Sequence, residues 1–199
     1  MTELVILTGA SSGLGRKTAQ ALLRSGDYHV IGAVRDLEKM EAVAEIDEFN
    51  MDNFTPMYCE LNSFDSVRNF CNKINEFRMS KPIDRLVCNA GVYQPSLPYP
   101  KWSVDNHEQT MQINFLSHFL MISLLLPALM ESKNKPRVIM VGSVTGNDNT
   151  VGGGYVTVFS YFLCFSSEPL SYMHLTLSTL FLVFICIIVV YIRLPIYMN

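Results

Sequence analysis

Short apolar runs rich in β-branched residues alternate along this chain with longer stretches whose apolar residues recur every three to four positions. Residues 4–7 form the first run, and a helical pattern through Ala19, Leu22 and Leu23 follows it. The Ser25-Gly26-Asp27 triplet stops that helix; residues 29–34 read as a second strand and 36–49 as a charged helix. The alternation continues with a strand at 55–59, a helix at 64–77, a strand at 83–88, a long helix at 104–130 and a strand at 137–141. Five strands separated by four helices predict an α/β fold built on a doubly wound parallel sheet.

The pattern breaks after Gly152-Gly153-Gly154. Beyond residue 154 only Glu168 and Arg193 are charged, and residues 173–192 carry no formal charge. The chain therefore divides into residues 1–154, the alternating strand–helix unit, and a hydrophobic tail at 155–199. A stretch of 20 residues without a formal charge is about the length that spans a bilayer core as a helix. Three readings of it stay open: a transmembrane segment over about 173–192, a buried core element, and sequence that is not native coding sequence.

Composition narrows the partners. The chain has 199 residues, 49% hydrophobic and 17% charged, which suits a single buried core and excludes disorder. The net charge is −3 with no basic run, so no nucleic-acid partner is expected. Cys59, Cys71, Cys88, Cys164 and Cys186 lack the spacing of a disulfide framework or a zinc site; no metal is expected, and a reducing compartment fits. Residues 1–7 lack the features of a secretory signal or an organelle address.

The candidate chemistry lies at the first strand–helix turn, Thr8-Gly9-Ala10-Ser11-Ser12-Gly13-Leu14-Gly15. Glycines there serve a tight turn, a close approach to pyrophosphate and close helix–strand packing. The helix behind Gly13 aims free N–H groups and its positive end at an anion. At the end of the second strand, Val34 is followed by Arg35, with Lys39 one turn on. Two cations within reach of a ribose 2′-phosphate favour NADP(H), Arg binding it as a fork and Lys as a point charge. The alternatives are a plain turn for the glycines and a solvated Arg35–Asp36 pair for the cations.

The glycine motif together with Asn89-Ala90-Gly91 resembles the short-chain dehydrogenase/reductase superfamily, which has a Rossmann-like sheet. Ala33-Val34-Arg35-Asp36, the stretch from Leu86 to Pro95 and Val141-Gly142-Ser143-Val144-Thr145-Gly146-Asn147 narrow the likeness to the light-dependent NADPH:protochlorophyllide oxidoreductase family. The likeness covers residues 4–153 and stops there. It implies NADPH as cofactor, with Gly9, Ser11, Ser12, Gly13, Leu14 and Gly15 on the pyrophosphate and Arg35 and Lys39 on the 2′-phosphate. It further places Glu60 and Leu61 at the adenine edge, Asn89, Ala90 and Gly91 along the cofactor, and Tyr93 toward the substrate. The family usually has Asp where Glu60 stands. Asn114 would support a proton path and Ser143 would occupy the active-site serine position, while Ser117 replaces a customary glycine. A capped or exposed helix residue suits Asn114 equally, and a turn hydroxyl suits Ser143.

The implied reaction is light-driven hydride transfer from NADPH to protochlorophyllide in chlorophyll biosynthesis, in a plastid. The superfamily's acid is a Tyr-x-x-x-Lys after the fifth strand, and here the last lysine is Lys135, ahead of Ser143. Tyr155, Tyr161 and Tyr172 are followed four residues on by Phe159, Phe165 and Thr176. The fold is thus expected to be incomplete on its C-terminal side, leaving the fifth strand an apolar edge, and this chain is expected to bind NADPH with little or no turnover. The alternatives are a light-independent NADP-dependent dehydrogenase acting on a retinoid- or steroid-like molecule and a membrane-tethered NADP(H)-binding protein without activity.

Overall fold

The computed structural model describes residues 2–93, 99–143 and 187–193. Its elements are β1 (Glu3–Thr8), α1 (Gly13–Ser25), β2 (Tyr28–Val34), α2 (Leu37–Ile46), β3 (Phe54–Tyr58), α3 (Phe64–Arg78), β4 (Arg85–Cys88), α4 (Gln109–Met130), β5 (Arg137–Ser143) and β6 (Ile187–Arg193). The sheet order is β3-β2-β1-β4-β5-β6. Strands β1 to β5 are parallel, as the alternation predicts, and β6 runs antiparallel to β5.

Successive side chains of a strand point to opposite faces, so each strand feeds two cores. Leu4 and Ile6 join Ile31, Leu86 and Val138 beneath α3 and α4, which contribute Phe70, Ile74, Met121, Leu125 and Leu129. Val5 and Leu7 join Val30, Val34 and Val87 on the other face, against Ala19 of α1 and Met40 and Val43 of α2. Burial on both faces explains why the strands read as continuous apolar runs.

Several boundaries move for identifiable reasons. Helix α2 ends at Ile46 instead of continuing to residue 49, because Glu48 turns to φ 54°. Asp36 lies outside it as the N-cap, its carboxylate accepting the Lys39 N–H at 2.9 Å. The long helix starts at Gln109, five residues later than expected. Residues 102–108 instead close on themselves: Trp102 bridges to Glu108, and the Ser103 N–H donates to the His107 carbonyl at 2.8 Å. The Glu108 carboxylate then caps α4 by accepting the Thr110 and Met111 N–H groups. Within α4, residues Gln112–Leu116 form a π-helical turn.

Strand β6 adds to the five expected parallel strands and corrects the expectation of an open fifth strand. It pairs along the whole of β5, from Arg137 opposite Arg193 to Ser143 opposite Ile187. Residues 187–192, the end of the candidate membrane span, are therefore strand and not helix. The rest of that span lies outside the described residues. Among the described residues, α4 alone is long and apolar enough to cross a membrane, and it packs against α3 and β4 in the core.

Candidate active site

The chain leaves β1 for β2 on one side and returns from β3 across to β4 on the other. The carboxyl ends of β1 and β4 therefore border a crevice of the kind that holds ligands in open α/β sheets. Residues 9–15 follow β1 into it, residues 89–93 follow β4, and Ser143 ends β5 on the same side.

The three glycines of the first turn are required for three different reasons. Gly9 holds φ +72° and donates its N–H to the Ala33 carbonyl at 2.9 Å, which reverses the chain beside β2. Gly13 holds φ +54°, and a Cβ there would meet nothing within 4 Å, so the backbone fronts open space. At Gly15 a Cβ would stand 2.2 Å from the Gly9 carbonyl oxygen and 2.6 Å from Asn89 Nδ2, so only glycine lets α1 approach the turn. Ser11 is half-buried, and Ser12 and Leu14 are exposed. Ser12 is the N-cap of α1, yet its side chain makes no capping bond, and the first turn carries no acid. The leading N–H groups and the positive end of the helix are left for an anion.

Arg35 and Lys39 are both exposed at the end of β2. Neither Arg35 nor Asp36 enters an ion pair among the described residues, so the alternative of an Arg35–Asp36 pair is not formed. Asp36 is engaged as a helix cap instead. Arg16, also in the first turn of α1, is committed elsewhere: its guanidinium holds Asp47 in a fork at 2.6 and 2.7 Å. That pairing lowers the Asp47 pKa and raises that of Arg16.

Thr8 is the junction between the two crevice loops. Its hydroxyl oxygen accepts the backbone N–H groups of Asn89 and Ala90, each at 2.9 Å. Asn89 Nδ2 in turn donates to the Thr8 carbonyl at 3.0 Å. Asn89, Ala90 and Gly91 are thereby fixed against the glycine turn, and a Cβ on Gly9 would lie 3.0 Å from Ala90 Cα. Tyr93 follows, half exposed.

Asn114 lies in the π turn with both ends of its amide engaged. Its Oδ1 accepts the Val92 N–H at 2.8 Å and its Nδ2 donates to the Val92 carbonyl at 3.0 Å. This clamp joins α4 to the loop after β4. Ser117, the replacement for glycine, is fully buried and donates to the Leu61 carbonyl at 2.5 Å. The larger side chain is accommodated by a hydrogen bond and ties α4 to the loop after β3. Leu61 itself is buried, and one Glu60 carboxylate oxygen accepts the Asn62 N–H at 2.8 Å.

The crevice thus brings together Gly9 to Gly15, Asn89 to Gly91 and Asn114, with Arg35 and Lys39 beside it. Tyr155, Tyr161 and Tyr172 lie outside the described residues. Among the described residues no group of acidic, histidine and cysteine side chains forms a metal site. Cys59, Cys71 and Cys88 are free, buried thiols, and burial pushes Cys71 and Cys88 up to about 12. They are inert at neutral pH.

Two residues of this network were not singled out from sequence, Thr8 as a junction and His118. The signals are slight: a threonine closing an otherwise apolar strand, and a histidine one turn past Asn114 in an apolar helix.

A sequence model of the short chain dehydrogenase family matches residues 3–157. The chloroplastic protochlorophyllide reductase of Marchantia paleacea is 46% identical over 149 residues, covering 74% of this chain and 32% of that protein. That of Daucus carota is 47% identical over 151 residues, covering 75% and 37%. The chain spans about a third of the length of these curated relatives. Among solved structures, the Pseudomonas aeruginosa RhlG/NADP active-site complex matches with TM-score 0.62 and 26% identity over 85% of this chain and 68% of that one. The putative carbonyl reductase Sniffer of Caenorhabditis elegans, at 21% identity and TM-score 0.62 over 90% of this chain and 75% of that one, shares the fold. The motif residues, the sheet order and the family match agree, and this chain belongs to the short-chain dehydrogenase family.

Proposed function

We propose that this chain binds NADPH in the β1–β4 crevice and belongs to the protochlorophyllide-reductase branch of its family, whose reaction is light-driven reduction of protochlorophyllide in a plastid. The observation that carries the cofactor is the acid-free start of α1, without a side-chain cap, together with two exposed cations at the end of β2, Arg35 and Lys39, that enter no ion pair among the described residues. The relatives at 46% and 47% identity support the substrate class.

The residues present fit such a dinucleotide. The N–H groups opening α1 and the open space at Gly13 suit the pyrophosphate, and Arg35 with Lys39 suits the 2′-phosphate. The Asn89–Gly91 backbone, held by Thr8, would line the cofactor, with Tyr93 next along the loop. NADPH, when bound, supplies a hydride to one carbon of the substrate double bond. The other carbon needs a proton, and in this chain no lysine follows Lys135 to bring a phenol down from about 10. The expected behaviour is therefore NADPH binding with little or no turnover.

The test is to mix the purified chain with NADPH and protochlorophyllide and follow nicotinamide fluorescence and chlorophyllide absorbance, in darkness and then under illumination. A fluorescence change on binding with no chlorophyllide agrees with the proposal. Absence of any NADPH binding contradicts its cofactor assignment, and chlorophyllide formation contradicts the loss of turnover. NADPH oxidation in the dark with a retinoid or steroid would favour the light-independent dehydrogenase instead.

A further inference from the structure

His118 is buried to 1% exposure on α4, yet it has polar neighbours at both ring nitrogens. Nε2 lies 3.0 Å from the Thr8 hydroxyl oxygen, and Nδ1 lies 3.3 Å from the Asn114 carbonyl oxygen. These contacts fix where the hydrogens are. A carbonyl oxygen only accepts, so Nδ1 carries the ring proton and Nε2 is the bare acceptor. The Thr8 oxygen already accepts the Asn89 and Ala90 N–H groups, so its own hydrogen is free to donate to Nε2. Its other candidate acceptor, the Val87 carbonyl, is 3.4 Å away. A ring protonated at both nitrogens would present a third donor to an oxygen with two lone pairs, and the junction could not hold.

We propose that neutral His118, as its Nδ1–H tautomer, is a positioning residue for the nucleotide crevice, linking the Thr8 junction of the two crevice loops to the π turn that carries Asn114. The ring closes a circuit from Gly9 through Thr8 to Ala90, from Val92 to Asn114, and from Asn114 back through His118 to Thr8. Each loop is then held from two sides. The binding consequence rests on the NADPH reading above, whereas the tautomer and the circuit stand on geometry alone.

The first experiment needs no variant: long-range 1H–15N spectra of 15N-histidine-labelled chain without nucleotide. The proposal expects a His118 Nδ1–H tautomer that stays neutral from pH 8 down to about pH 6, below which histidines of ordinary pKa charge. An Nε2–H tautomer, or a charged ring near neutral pH, overturns it. The second experiment measures NADPH affinity by nicotinamide fluorescence. His118→Leu removes the acceptor and is expected to weaken binding about tenfold. His118→Gln, which can present an oxygen to Thr8, is expected to restore most of it, and in a Thr8→Val background His118→Leu is expected to add little. Equal losses for Gln and Leu, or an additive Thr8→Val, His118→Leu pair, overturn the positioning role. If the wild-type chain binds no NADPH, the cofactor reading fails while the tautomer result still decides the circuit.

Discussion

At the scale of single residues, the site was readable where chemistry forces one residue type and hidden where it depends on distant partners. Gly9, Gly13 and Gly15 are of the first kind, since positive φ strains any side chain at the first two and a 2.2 Å approach to backbone excludes one at the third. Gly15→Ala is accordingly expected to cost about 3 kcal/mol or more, because the obstacle is the backbone carbonyl of Gly9 and cannot swing aside; a thermal unfolding midpoint equal to wild type would refute that. Thr8 and His118 are of the second kind. They meet across 110 positions of sequence, and no local pattern announces the pair. Ser117 shows the opposite error, a departure from the family pattern that raises doubt on paper and is satisfied in place by the Leu61 carbonyl. Ser117→Gly is expected to destabilise the chain by about 1 kcal/mol, seen as a lower denaturant midpoint, since a buried hydrogen bond is lost and glycine loosens the helix.

Among the elements, the alternation of apolar runs and helical periods was enough to place β1 to β5 and the helices between them. The start of α4 was misread because Val104 continues the apolar spacing, whereas the decisive interaction is the Glu108 carboxylate capping Thr110 and Met111. Strand β6 was hidden because residues 187–192 continue an uncharged apolar run that suits a membrane helix as well as a strand. Its pairing gives the apolar edge of β5 a cover. A chain ending at residue 186 is therefore expected to form high-molecular-weight species by light scattering, and a monodisperse product would count against β6 as the protecting strand.

For the molecule as a whole, one buried and one half-buried histidine couple the fold to pH. Burial lowers the pKa of His118, against a smaller opposing effect from the Asn114 carbonyl, and burial with the charge of Lys81 lowers that of His29. Below about pH 6.5 the unfolded chain binds protons that the folded chain refuses, so stability present at neutral pH is lost as pH falls. Denaturant midpoints are expected to decline from pH 7 to pH 5, less steeply in His118→Gln, and a midpoint that rises over that range would contradict the placement of both rings.

The two-sided sheet also brings its strand ends to one crevice, where the central claim is the choice of nucleotide. The most direct measurement is competition of NADPH against NADH for the wild-type chain and Arg35→Ala. The account predicts tighter binding of NADPH by about tenfold or more, with most of that preference gone in Arg35→Ala, since a charge-assisted contact to the 2′-phosphate is what separates the two ligands. Equal affinity for the two nucleotides in the wild-type chain, or a preference untouched by the substitution, would contradict it.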